Sequence, residues 1–296
     1  TTKALPVAEA ITPKWLPTFL PWVSVEAGTY RINKTRSFTE NYDDPNESCE
    51  KVAKLYSGYL SEYDLPQTYH DYENNPKEYV LSTIQTILRA NTHVMDIFNS
   101  PIDQLAEQFR ITTEAMREMQ EWQVINNTEF GLVNCVANSM KIQPRSGRPT
   151  PNDLDELISK VWKKPAIFLA HPRAIAAIGR ECTRRGVPPV TINILGSPFV
   201  TWRGVPIVPC DKLMVSPNET TNILLMRVGE KEQGVIGLHQ PGIPDESTIP
   251  SLSIKFAGID HRGVSAYLMN LYFSVAVLAE DALGMLENID IGRYDD

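Results

Sequence analysis

The punctuation of residues 166–213 limits what this chain can fold into more than any other feature. Residues 166–170 are an apolar run of strand length. His171-Pro172 follows, and proline fits the first helical position because the amide it lacks would have had no partner there. Ile175, Ile178 and Cys182 recur at helical spacing and give one apolar face. Arg184 and Arg185 fall in the last turn, where cations suit the negative end of the helix dipole. Gly186 supplies a left-handed stop, and Pro188-Pro189 forbid continuation. Residues 190–195, 199–202 and 205–208 then read as short strands, punctuated by Gly-Ser-Pro and Arg-Gly. The wider stretch 153–213 predicts two helices and at least three strands.

A strand running into a proline-started helix, a loop and then "WRGVPIVPCDKL" resembles the A-domain of HK97-type capsid proteins, with closing strands expected in "TTNILLMRVGEKEQGVIGLHQPG" at 220–242. Longer segments resemble one branch, the type 2A encapsulin nanocompartment shell proteins. They are "WVSVEAGTYRIN" at 22–33, "LPQTYHDYE" at 65–73, "VWKKPAIFLAHPRAIAAIGRECTRRGVPP" at 161–189, "TWRGVPIVPCDKL" at 201–213 and "VLAEDALGMLENIDI" at 277–291. Between "GIPDESTIPSLSIKFAG" and the last residue there is no room for the inserted nucleotide-binding domain of the 2B branch. The resemblance implies an α+β, HK97 phage capsid-like fold with an N-arm at 1–22, an E-loop hairpin leading into the P-domain at 23–90, a spine-helix P-domain at 91–150, an A-domain at 151–250 and returning strands at 251–296.

Composition sets outer limits. A chain of 296 residues can bury a sizeable core as one large domain or two small ones. Acidic residues outnumber basic ones, 36 to 28, for a formal net charge of −8. That weighs against a nucleic-acid binder, which needs a basic footprint. Cys49, Cys135, Cys182 and Cys210 show no C-x-x-C or metal spacing, as expected of free thiols in a reducing cytosol. No charged segment followed by an apolar one opens the chain, so no secretory signal is expected. The chain starts at Thr1, and a leading segment is expected to lie outside this numbering. Residues 263–279 carry no charge, yet the run is shorter than the roughly 20 apolar residues of a spanning helix, and Asn270 and Ser274 interrupt it. Its aromatic and β-branched content favours a buried strand over a helix or a membrane span.

Pro13, Pro17 and Pro21 break any long helix near the start. Among them sit Trp15, Leu16, Phe19, Leu20 and Trp22, a dense apolar load. Two readings remove it from water: a tail packed on its own domain, or an arm laid across a neighbouring subunit. Residues 23–90 read as a long hairpin whose middle, 35–64, is acidic and polar. An excursion of about thirty residues is odd inside a compact domain and makes sense if it packs on another subunit. Its acid run reads as a solvated face in preference to a cation site. From Ser100 and Pro101 to about 126 a helix is expected, with Leu105, Phe109, Met116 and Met119 as its apolar stripe. Glu107/Arg110, Glu114/Arg117 and Arg117/Glu121 would pair on its outer face.

No catalytic constellation is legible. His171 and Cys182 lie eleven residues apart on one helix, and each turn rises about 5.4 Å, so they cannot meet. The five histidines, His70, His93, His171, His239 and His261, have no metal spacing. "GEKEQG" is a charged turn and lacks the lysine-serine/threonine end of a phosphate loop. No catalytic residue, cofactor or metal is therefore expected. The resemblance implies a self-assembling subunit of an icosahedral shell in the bacterial cytosol, with no nucleic-acid or membrane partner. Its implied cargo is a cysteine desulfurase, which would carry pyridoxal phosphate and act in sulfur metabolism. Arg184 and Arg185 are candidates for lining a pore, or else merely cap their helix. The alternatives are a phage major capsid protein around DNA and a small soluble enzyme.

Overall fold

The structure, a computed structural model, describes residues 12–33, 35–38, 69–72, 75–91 and 104–292. It separates into two compact units, Thr29–Tyr79 by itself and Thr1–Gly28 together with Val80–Asp296. The smaller unit is built from paired strands. β2 (Thr29–Ile32) pairs with β5 (Lys77–Val80), and β3 (Thr35–Phe38) runs antiparallel to β4 (Tyr69–Tyr72). Arg31 and Glu78 pair across the first of these at 2.7 Å. The hairpin expected over 23–90 is visible in those strands, while 39–68 lies outside the described residues.

Two sheets organise the larger unit. The first has the order β1 (Trp22–Ser24), β13 (Val235–His239), β15 (Ser265–Val277), β14 (Leu252–Ile259), with β6 (Ser82–Ala90) also on β15. β15 is the uncharged run, and it is a strand. Its first part pairs antiparallel with both β6 and β14, and Ser274–Val277 pairs with β13. α2 (Gln104–Asn126) lies over β6 and β15, with Phe109 edge-on to Tyr267 at 4.9 Å.

The second sheet has the order β7 (Lys141–Ile142), β16 (Leu283–Asp290), β12 (Thr220–Met226), β8 (Ile167–Ala170), β11 (Val205–Pro209), β10 (Ser197–Trp202), β9 (Val190–Ile194). All four residues of β8 are buried, because it pairs on both edges, antiparallel with β12 and parallel with β11. Each fully buried Leu, Ile or Phe here contributes about 1.5–3 kcal/mol. α3 (Pro151–Lys160) opens on a capping box, Thr150 and Asp153 exchanging hydrogen bonds. α4 (Pro172–Arg184) starts as its sequence predicts. The His171 Nδ1 accepts from the Arg173 amide at 3.1 Å, and Gly186 takes the positive φ, 70°, that ends it.

Several expectations need correcting. Met119 is exposed, and the buried stripe of α2 is Met116, Gln120, Glu121, Val124 and Ile125. Glu121 therefore faces inward and does not pair with Arg117. On the outer face Arg110 takes both Glu107 and Glu114. Within 151–250, β13 belongs to the first sheet, and of the strands after 250, β16 returns to the second between β7 and β12.

Candidate functional site

The aromatic segment near the start packs on its own chain. Pro17 sits inside α1 (Trp15–Phe19), which is only five residues long. Leu16 and Leu20 are buried at 0% and 3% exposure. Trp15 and Phe19 meet Phe199 of β10 edge-on, at 5.1 and 5.9 Å. The Trp22 indole donates to the Pro17 carbonyl at 2.8 Å and covers Gly237, where a Cβ would lie 2.7 Å from the ring. β1 thereby seats in parallel on β13. Leu16 and Leu20 are thus taken out of water by their own domain, while Trp15, Phe19 and Trp22 are covered by it only in part.

Arg184 closes α4 and Arg185 is its C-cap residue. Both turn back on Glu181, whose side chain is almost fully buried: Arg185 Nε lies 2.7 Å from Oε1 and Arg184 Nε 3.6 Å from Oε2. The Arg184 side chain remains 61% exposed, against 37% for Arg185. It also lines a cavity of about 570 Å³ with Arg148, Arg180, Thr183, Glu181 and Asp290.

A buried polar cluster escaped the sequence reading. Glu121 is fully buried, and neither carboxylate oxygen has a well-formed hydrogen bond among the described residues. One of its oxygens, the Cys210 thiol and an Asp211 carboxylate oxygen lie within 4.8 Å of one another. Burial pushes the Glu121 pKa up to about 7; the Leu16 amide and Lys212 partly offset this, while Glu118 and Asp211 add to it. Lys212 Nζ sits 3.0 Å from Asp211 and also pairs with Glu118, which Lys14 approaches to 3.5 Å. The Thr12 hydroxyl donates to Asp211 at 2.8 Å and accepts from its amide at 3.2 Å. Glutamate, cysteine and aspartate side by side could hold a metal. Here, however, the Lys212 ammonium already occupies Asp211, and burial pushes the Cys210 thiol up to about 12. The set reads as a proton-holding cluster. The signal that could have revealed it is Glu121 itself, five residues after Met116 and four before Ile125 on the apolar stripe.

A second buried charge lies at Arg227, 1% exposed at the end of β12. Its guanidinium reaches Asp281 at 2.8 and 3.4 Å, and Lys163 binds the same carboxylate at 2.8 Å. His171 and Cys182 stand at opposite ends of α4, and Cys135, Cys182 and Cys210 are free thiols. Cys49 and His93 fall outside the described residues. No helix among the described residues is long and apolar enough to cross a membrane.

Comparison with known proteins decides what this architecture is. A family model described as the SrpI-like type 2A encapsulin shell protein matches residues 39–293. The chain belongs to the type 2A encapsulin shell proteins. It is 47% identical to the type 2A encapsulin shell protein SrpI of Synechococcus elongatus over 99% of this chain and 91% of that one, and 46% identical to the type 2A encapsulin shell protein of Mycobacterium leprae over 99% and 92%. The cryo-electron microscopy structure of the holo-SrpI encapsulin complex from Synechococcus elongatus superposes with a TM-score of 0.84 at 45% identity, covering 100% of this chain and 94% of that one. At 11% identity the likeness extends, in fold alone, to a gene-transfer-agent capsid, TM-score 0.62 over 97% and 94% of the two chains. The fold is thus the α+β HK97 capsid type, and the encapsulin subunit is a self-assembling shell component.

Proposed function

We propose that this encapsulin subunit walls a compartment in the bacterial cytosol, and that the reaction inside belongs to an enclosed cysteine desulfurase acting in sulfur metabolism. The observation that carries the shell part is the family match along nearly the whole chain, with both sheets and the spine helix in place. The edge strand β9 adds physical support: its Val190 and Ile192, and Leu195 just after it, are exposed, an apolar sheet edge that assembly would cover. The subunit itself supplies no chemistry in this reading, and any pyridoxal phosphate would travel with the cargo. The desulfurase follows from the likeness to type 2A shells. The cargo would dock through a flexible extension whose ordering entropy is offset by many identical sites on one shell.

The test is expression of the shell with its native genomic neighbours, purification of whole particles and mass spectrometry of what accompanies them. Desulfurase activity is expected to travel with the particles and to be absent from shells expressed alone. A ferritin-like protein or a peroxidase in its place would overturn the cargo assignment and leave the shell intact.

The arginines at the end of α4 extend the reading to traffic through the wall. Arg184 and Arg185 face a channel in this proposal and favour small anions by their local field, despite the net acidic chain. Replacing both by glutamate is expected to slow uptake of an anionic probe into intact particles while assembly persists. If the pair only closes the helix, the double variant instead lowers thermal stability, because two new carboxylates then crowd Glu181, and uptake does not change.

A further inference from the structure

The cluster around Glu121 is not used by the pore and cargo readings above. It lies where three stretches meet: the N-terminal segment from Thr12 to Leu16, the middle of α2, and the turn after β11 that holds Cys210, Asp211 and Lys212. We propose that Glu121 is a proton-operated latch: with its carboxyl neutral, residues 12–20 stay seated on α2, and loss of that proton loosens the segment and weakens the shell.

Charge geometry makes the argument. The ionisable groups facing Glu121 are Glu118 on its own helix, Cys210, Asp211 and Lys212 on the turn, and Lys14 on the N-terminal segment. With Glu121 neutral, two carboxylates face two ammonium groups. With Glu121 ionised, three carboxylates face two ammonium groups, and the third is cut off from solvent, with burial outweighing the help that the Leu16 amide and Lys212 give it. The proton leaves to water, and no other bond changes. Relief is available only through movement. The segment is held at this point by the two Thr12–Asp211 hydrogen bonds and by the packing of Leu16, so it is the part free to give way and admit water.

The direction with pH follows from linkage. Burial first, then neighbouring carboxylates, raise Glu121 from the ordinary 4.5 to about 7 in the seated state. The seated state therefore keeps a proton that a loosened state releases. The stabilisation is complete below about pH 4.5, declines as pH rises, and is gone above about pH 7.

Hydrogen exchange on assembled, full-chain particles tests this, with wild type and Glu121→Gln compared at each of several pH values from about 4 to 8.5. Glutamine keeps the shape and cannot ionise, so taking the ratio of the two removes the intrinsic pH dependence of exchange. Amides of residues 12–20 are expected to exchange equally in both proteins at the acid end. By the alkaline end wild type should exchange about tenfold faster or more, as a shift of at least one pKa unit implies. Parallel profiles at every pH overturn the latch. Infrared difference spectra of wild-type particles provide a reading that no variant can spoil. A neutral buried carboxyl band is expected at pH about 6 and should vanish by about 8.5, and its absence at the acid end overturns the proposal.

Discussion

Asp281→Ala is expected to destabilise the subunit by about 3–5 kcal/mol, the largest effect of any single charge removal in this chain. The reason is its partner. Arg227 is 1% exposed, so its guanidinium has exchanged water for the Asp281 carboxylate and little else; one further contact, to the Gln233 carbonyl, is long at 3.4 Å, and its Nε has no partner. Removing the carboxylate leaves a buried charge uncompensated. Lys163, the other cation on Asp281, is half exposed, and Lys163→Ala should cost at most about 1 kcal/mol. The midpoint of urea unfolding, followed by intrinsic fluorescence, separates the two. Arg227→Met in the Asp281→Ala background should recover most of the loss, because no unpaired charge then remains. The pair also sets an acid limit. The Arg227 guanidinium, with Lys163, holds Asp281 down to about 2 from an ordinary 3.8. Its contribution is present above about pH 3.8 and fades as pH falls toward 2, moderated because the carboxylate keeps some contact with solvent.

Leu16→Ala should cost about 2–5 kcal/mol, as deletion of a fully buried leucine does. The control is Met214→Ala, at a side chain 66% exposed, which should stay within about 0.5 kcal/mol. If the segment served only to clasp a neighbour, the leucine variant would assemble poorly and unfold as wild type does once dissociated. The packing of Leu16, Leu20, Trp15 and Phe19 against their own core requires the opposite: subunit stability falls whether or not particles form.

What could be read in the sequence was whatever local chemistry decides. Pro172 and Gly186 bound α4 as they must, because each acts within a turn of its own position. The uncharged run at 263–279 became β15 for its aromatic and β-branched content. The long-range segments gave the family because they extend through most of the chain. Tertiary choices remained hidden. Met119 and Glu121 are two residues apart, and helical spacing alone allowed either to face inward; the approach of Leu16 and the turn at 210–212 decided it. Cys210 and Glu121 are brought together only by the packing of α2 against the end of β11, and no spacing in the sequence encodes that. The same holds for the apolar segment at 12–22. Its composition demanded cover, and only the position of Phe199 and Gly237 says that its own chain provides it.

The strand order also sets a timetable for synthesis. β15 is the strand that joins β6, β13 and β14, and β16 lies between β7 and β12. The first sheet cannot close until residues up to 277 have left the ribosome, nor the second until residues up to 290 have, however early β6, α2 or β8 emerge. A nascent chain halted at residue 250 would expose both edges that those strands cover, together with the apolar residues of β12 and β13. Closing of both sheets thus waits on residues near 290, and until then the uncovered strand edges are the surfaces most open to mispairing.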